Sequence, residues 1–123
     1  MSKPALQILT EARALLSDPK RWTEGDFALD EHGNGVYWHA DSAVCWCALG
    51  AIGRVAGAEE DPDEGARQVQ RFASEAVALL HEVIDWDGVS SMADGVAYWN
   101  DHHDHAEVLA AFDRAIELAK GDA

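Results

Sequence analysis

Asp101-His102-His103-Asp104-His105 is the densest run of chemistry-bearing side chains in the sequence. Imidazole and carboxylate are good ligands for first-row metals. His32, His39, Cys45 and Cys47 add donors that folding could bring to the same place. Adjacent histidines cannot all converge on one ion, however, and no C-x-x-C or H-E-x-x-H spacing occurs. Asp104 also reads as a helix cap. A solvated turn is expected here, and no metal or cofactor; the sharper alternative is a metal-assisted hydrolase.

The two cysteines offer a second chemistry. In the first turn of a helix, Cys45 would feel the partial positive charge that lowers a thiol pKa. A nearby histidine could serve as base, with Asn100 or Asp101 orienting it. Against this, Cys45 and Cys47 are embedded among Val44, Trp46 and Leu49, and burial raises a thiol pKa. Two small buried hydrophobes are expected. On a helix, positions i and i+2 face nearly opposite sides, so the pair should not bridge. Asp85 and Asp87 flank Trp86, an aromatic able to raise a carboxyl pKa by desolvation. Asp-Gly after a helix is more commonly a turn. Gly33-Asn34-Gly35 is too short for a phosphate-binding fingerprint.

Five tryptophans in 123 residues are many for a small helical chain. Trp22, Trp38, Trp46, Trp86 and Trp99 sit at segment ends and in connections. They are expected to close the ends of the core, each indole N–H finding a partner. An aromatic-lined ligand or partner pocket is the functional alternative.

The elements that position these groups follow from periodicity and punctuation. Residues 4–16 read as a helix capped by Ser2, with Leu9 and Leu16 inward, ended by Ser17-Asp18-Pro19. Residues 27–30 and 36–39 flank a Gly/Asn turn and read as a small β-hairpin. Residues 43–55 read as a central helix, apolar most of the way round. Gly50 inside it implies close approach of the Trp99 turn or another backbone. Asp61-Pro62-Asp63-Glu64 opens a third helix running to about residue 84. Ser90 or Ser91 caps a short helix to about residue 99. Asp104 and Glu107 form a capping box for a last helix over residues 105–120. The expected fold is mainly α: a single domain over residues 1–123, a compact bundle of four main helices plus a short helix and a small β-hairpin.

Nine basic against twenty-three acidic residues give a net charge of −14. Only Lys20-Arg21 forms a basic pair, so direct nucleic-acid binding is not expected. The acid excess favours solubility, or attraction of a basic partner. No window approaches the apolar length of a membrane span, and Met1-Ser2-Lys3-Pro4 lacks a signal peptide's hydrophobic stretch, so a cytoplasmic location is expected.

Three features recur together: Trp22-x-x-Gly25, Cys47-x-x-Gly50-Ala51-Ile52, and Trp99-Asn100-Asp101 ahead of Glu107-Val108. In order and spacing they resemble a family of small uncharacterised bacterial and phage proteins, a domain-of-unknown-function family, from about residue 6 to residue 118. The chain departs at His102-His103-Asp104, where similar proteins carry a Pro-Gly type turn and a threonine cap. That departure argues against the histidines being the family's working residues. The resemblance implies no activity. It directs attention to Trp22, Cys47, Trp99, Asn100 and Asp101, either as a fold signature or as a shared binding pocket. The expected function is that of an acidic, non-enzymatic interaction protein with an unidentified protein partner, in an accessory or phage-related setting as an inhibitor. The alternative is a small cysteine- or metal-dependent hydrolase.

Overall fold

In the computed structural model, residues 3–84, 88 and 91–121 are described. Ser2, Asp85, Trp86, Asp87 and Ser90, to which the sequence assigns capping, turn or acid roles, lie outside them. Helix α1 (Ala5–Leu15) buries Ala5, Ile8, Leu9 and Ala12. Past its end, the Asp18 side chain accepts the Lys20 N–H at 2.9 Å and sets a short 3₁₀ turn, Pro19–Arg21. Strand β1 (Ala28–Leu29) and strand β2 (Cys45–Trp46) form an antiparallel pair. Helices α2 (Ala48–Val55), α3 (Ala66–Phe72), α4 (Ser74–Val83), α5 (Met92–Asp101) and α6 (His105–Gly121) follow. The fold is mainly helical with a small hairpin, as the periodicity predicts. Helix α1 packs on α6 and α2, and α4 packs on α5 and α6. Val108, Ala111, Phe112 and Ala115 of α6 are sealed from solvent in the common core.

Three expected elements are corrected. First, β1 does not pair with a strand over residues 36–39. The Gly/Asn turn does return the chain, since Val36 N–H donates to the Ala28 carbonyl at 3.1 Å and Leu29 bridges Gly35. The longer partner, though, is Cys45–Trp46, whose other edge bridges Trp22.

Second, residues 43–47 are consequently not helical. Val44 N–H donates to Leu29 O and Cys47 N–H to Phe27 O, at 2.9 and 3.2 Å. With these donors committed to strand pairing, α2 starts only at Ala48. Its first turn is capped by the Cys47 sulfur, which accepts Gly50 N–H at 3.3 Å. The resulting helix is short and buried from Ala48 through Gly53. Gly50 does admit a close backbone, but it is that of Phe27: a Cβ there would lie 2.1 Å from the Phe27 carbonyl oxygen.

Third, the expected helix over residues 61–84 is split and starts late. Asp61 organises a turn, accepting Asp63 N–H on its side chain and Glu64 and Gly65 N–H on its carbonyl. Gly65, at φ +51°, then leads into α3. Ala73 (φ −136°, ψ 42°) leaves helical geometry and separates α3 from α4. Neither proline nor glycine marks this break. It lets α3 pack on α5 while α4 packs on α6, and it leaves Phe72 54% exposed.

The capping box of α6 is complete. Glu107 N–H donates to the Asp104 carboxylate at 2.8 Å, and Asp104 N–H to the Glu107 carboxylate at 3.0 Å. Two backbone donors at the helix start are thereby satisfied reciprocally.

Candidate functional site

The last turn of α5 carries Trp99, Asn100 and Asp101 onto the start of α2 and the segment after the 3₁₀ turn. The Asn100 side chain is wholly buried. Its Oδ1 accepts the Trp22 indole N–H at 2.8 Å and the Ala48 backbone N–H at 3.0 Å. Its Nδ2 donates to the Thr23 carbonyl at 3.1 Å. A carboxamide supplies an acceptor and a donor without charge, which a buried position between an N–H pair and a carbonyl requires. Next to it, the Asp101 carboxylate accepts Gly25 N–H at 2.8 Å, at a glycine with φ +86°. The Asn100 and Asp101 side chains therefore reach groups 50 to 80 residues away in sequence, and the Asn100 Nδ2 also donates to the Asp101 carboxylate beside it at 3.4 Å. They form a polar clasp over three chain segments.

The structure thus gathers Trp22, Cys47, Asn100 and Asp101. Cys47 is 3% exposed, and Asp101 and Cys47 line one recess of about 240 Å³ with Gly25, Phe27 and Ala97. Burial pushes the Cys47 thiol up to about 12, with the Asp101 charge acting the same way; the Gly50 N–H only partly opposes it. Such a thiol stays protonated and is a weak nucleophile at neutral pH. Cys45 is also buried, in β2, and both thiols are free. The fifth residue, Trp99, stacks on His103 with centroids 4.0 Å apart. Its indole N–H has no hydrogen-bond partner among the described residues, unlike those of Trp22, Trp38 and Trp46.

The histidine turn is structural in its contacts. His102 Nδ1 donates to Tyr98 O and His103 Nδ1 to Trp99 O, at 2.8 and 2.7 Å, which satisfies carbonyls at the C-terminus of α5. His105 Nε2 donates to Leu16 O at 2.6 Å and ties α6 to the end of α1. Three imidazoles thus address three different carbonyls. Among the described residues no group of three or more His, Cys, Asp or Glu side chains is placed to hold a metal ion.

A second and larger recess adjoins the first across Asp26 and Phe27. It measures about 600 Å³ and is lined by Asp26, Phe27, Gly35, Val36, Tyr37 and Glu60. Glu60 is positioned from two sides: its carboxylate accepts Trp38 N–H at 2.9 Å, and its own N–H donates to His39 Nδ1 at 2.9 Å. His39 in turn stacks on Tyr37, centroids 5.4 Å apart. Desolvation raises the Glu60 carboxyl above its ordinary value, and the Trp38 N–H bond opposes this in part. Sequence reasoning missed Asp26, Phe27 and Glu60 as a set. They lie in two loops more than thirty residues apart, and no spacing rule connects them.

One family profile matches residues 1–118, a span that contains the whole clasp. The chain belongs to DUF6197, a family of unknown function. No curated protein and no solved structure matches it. In this DUF6197 chain no helix among the described residues is long and apolar enough to cross a membrane. The DUF6197 match takes in both recesses, since their lining residues run from Gly25 to Asp101.

Proposed function

We propose that this DUF6197 chain is a non-enzymatic binding protein that acts on a protein partner, in an accessory or phage-related setting as an inhibitor. The observation that carries this reading is a division of labour. The polar side chains of the recurrent motif are consumed by the clasp, while the neighbouring recess at Asp26, Phe27, Tyr37 and Glu60 stays open to solvent. A net charge of −14 draws a basic partner toward such a surface. The competing reading, a cysteine- or metal-dependent hydrolase, calls for an ionisable thiol or converging ligands. The buried Cys47 thiol and the three separately engaged imidazoles weigh against it.

Affinity capture on the immobilised chain tests the proposal. Bacterial lysates are applied at low and high salt, and retained proteins are identified by mass spectrometry. A protein retained at low salt and released at high salt is the expected result. Failure to retain any salt-sensitive protein from several lysates overturns the reading.

A further inference from the structure

We propose that the recess between Phe27 and Glu60 is the seat of an arginine side chain presented by the protein partner. This rests on the partner-binding reading and gives it a chemistry. Phe27 and Val36 form apolar walls, and Tyr37 stands 48% exposed at the edge. Two carboxylates, Asp26 and Glu60, line the same space. Neither forms an ion pair with a lysine, arginine or histidine among the described residues. One Glu60 oxygen is held by Trp38 N–H; no donor among the described residues bonds the other. The carboxylate is thus fixed in direction, partly stripped of water, and one oxygen short of a partner.

Arg54 and His39, whose contacts adjoin the recess at Ala40 and Glu60, are otherwise engaged. The Arg54 guanidinium donates to the Trp38 and Ala40 carbonyls at 3.1 and 2.9 Å and lies over the Trp46 ring. His39 presents a ring nitrogen that accepts the Glu60 N–H, so there it acts as a hydrogen-bond acceptor.

An apolar occupant would bury the Glu60 carboxylate with no counter-charge, which is strongly unfavourable. Among the described residues no third carboxylate, imidazole or thiol joins Asp26 and Glu60 in a group placed to hold a metal ion. A lysine ammonium is strongly hydrated and gains little from aromatic walls. A guanidinium is planar and weakly hydrated; it lies on aromatic faces while its N–H groups reach carboxylates at the edge. The combination of rings and acids at this recess matches that group.

The test is a two-dimensional amide NMR titration of the full chain with the capped peptide acetyl-Gly-Arg-Gly-amide, to 20 mM. Its citrulline counterpart, of the same shape but uncharged, serves as the control. Saturable shifts confined to the neighbourhoods of residues 26–28, 35–37 and 60, at least five-fold weaker for citrulline, are expected. Glu60→Gln keeps an oxygen for the Trp38 N–H and should weaken the arginine peptide at least three-fold. Asp26→Asn is the second variant if Glu60→Gln disturbs the spectrum elsewhere. Absence of saturable shifts, equal binding of citrulline, or equal affinity in a folded variant overturns the proposal. The two readings fail separately. Arginine binding without any captured lysate protein leaves the seat and removes the partner. A captured protein retained equally by both variants, with no peptide binding, leaves the partner and removes the seat.

Discussion

Replacing Asn100 probes the clasp most directly. In Asn100→Ala, the Ala48 N–H and the Trp22 indole N–H lose their acceptor and the Thr23 carbonyl loses its donor. The Ala48 N–H is deeply buried, and an unpaired buried donor costs about 1–3 kcal/mol. Trp22 and Thr23 are only half-buried and can turn to water, so each adds about 0.5–1 kcal/mol. The vacated amide leaves a small cavity worth about 1 kcal/mol more. The expected loss is about 3–6 kcal/mol, a large share of the ~5–15 kcal/mol of an ordinary domain. Urea unfolding followed by tryptophan fluorescence measures it. Asn100→Asp separates the clasp from mere volume. It keeps an acceptor for both N–H groups but directs a buried carboxylate oxygen at the Thr23 carbonyl, beside Asp101. Burial and that like-sign neighbour raise its folded pKa above the unfolded value of about 3.9. A raised folded pKa contributes stability that is present below the unfolded pKa and lost as pH rises through the folded one. The deficit of Asn100→Asp relative to the native chain is therefore smaller at pH 4 than at pH 7. A loss under 1 kcal/mol for Asn100→Ala, or a pH-independent deficit for Asn100→Asp, would contradict a buried clasp at this position.

Three further outcomes follow from the geometry. Gly50→Ala puts a methyl 2.1 Å from the Phe27 carbonyl oxygen, so it should cost about 3 kcal/mol or more; Gly33→Ala, at φ +82° with open space around it, should cost only about 1 kcal/mol, both read by chemical denaturation. Cys47 should resist iodoacetamide at pH 8 until the chain unfolds, and a peptide-mapped Cys47 adduct forming faster than global unfolding would contradict its burial. The Glu60 carboxyl is raised by desolvation, so its contribution is present below its unfolded pKa and lost as pH rises through the folded value. Glu60→Gln should accordingly be stabilised relative to the native chain at pH 7, with the difference shrinking toward pH 4 in paired denaturation curves.

Legibility in the sequence tracked the range of the interaction. The Asp104–Glu107 box closes within one helical turn, and both of its bonds form as the four-residue spacing predicts. Helix α1 lies within a residue of its expected bounds at each end because its apolar stripe is clean and Asp18-Pro19 stops it. Ala73 shows the opposite case. A helix-favouring residue sits at the break between α3 and α4, which both meet α5 but otherwise part, α3 toward α2 and α4 toward α6 and α1. Residues 45–46 read as helix by neighbouring periodicity, yet β1 and Trp22 claim their backbone on both edges. The site behaves likewise. The motif residues were visible as a set, but the distant backbone groups that Asn100 and Asp101 bond were not, and the Glu60 recess left no trace in the spacing.

The amino-acid order alone determined the mainly helical class, the acidic character, the family, and the helix ends whose capping partners lie a turn away. These depend on local backbone preference and on apolar periodicity, which neighbouring residues suffice to set. Tertiary structure decided that Cys47 caps a helix in a sealed interior, that Phe27 occupies the space Gly50 leaves, and that Asp26 and Glu60 face one recess. Each is a contact between segments far apart in the chain, and a long-range contact is selected by the whole packed arrangement rather than by the residues beside it.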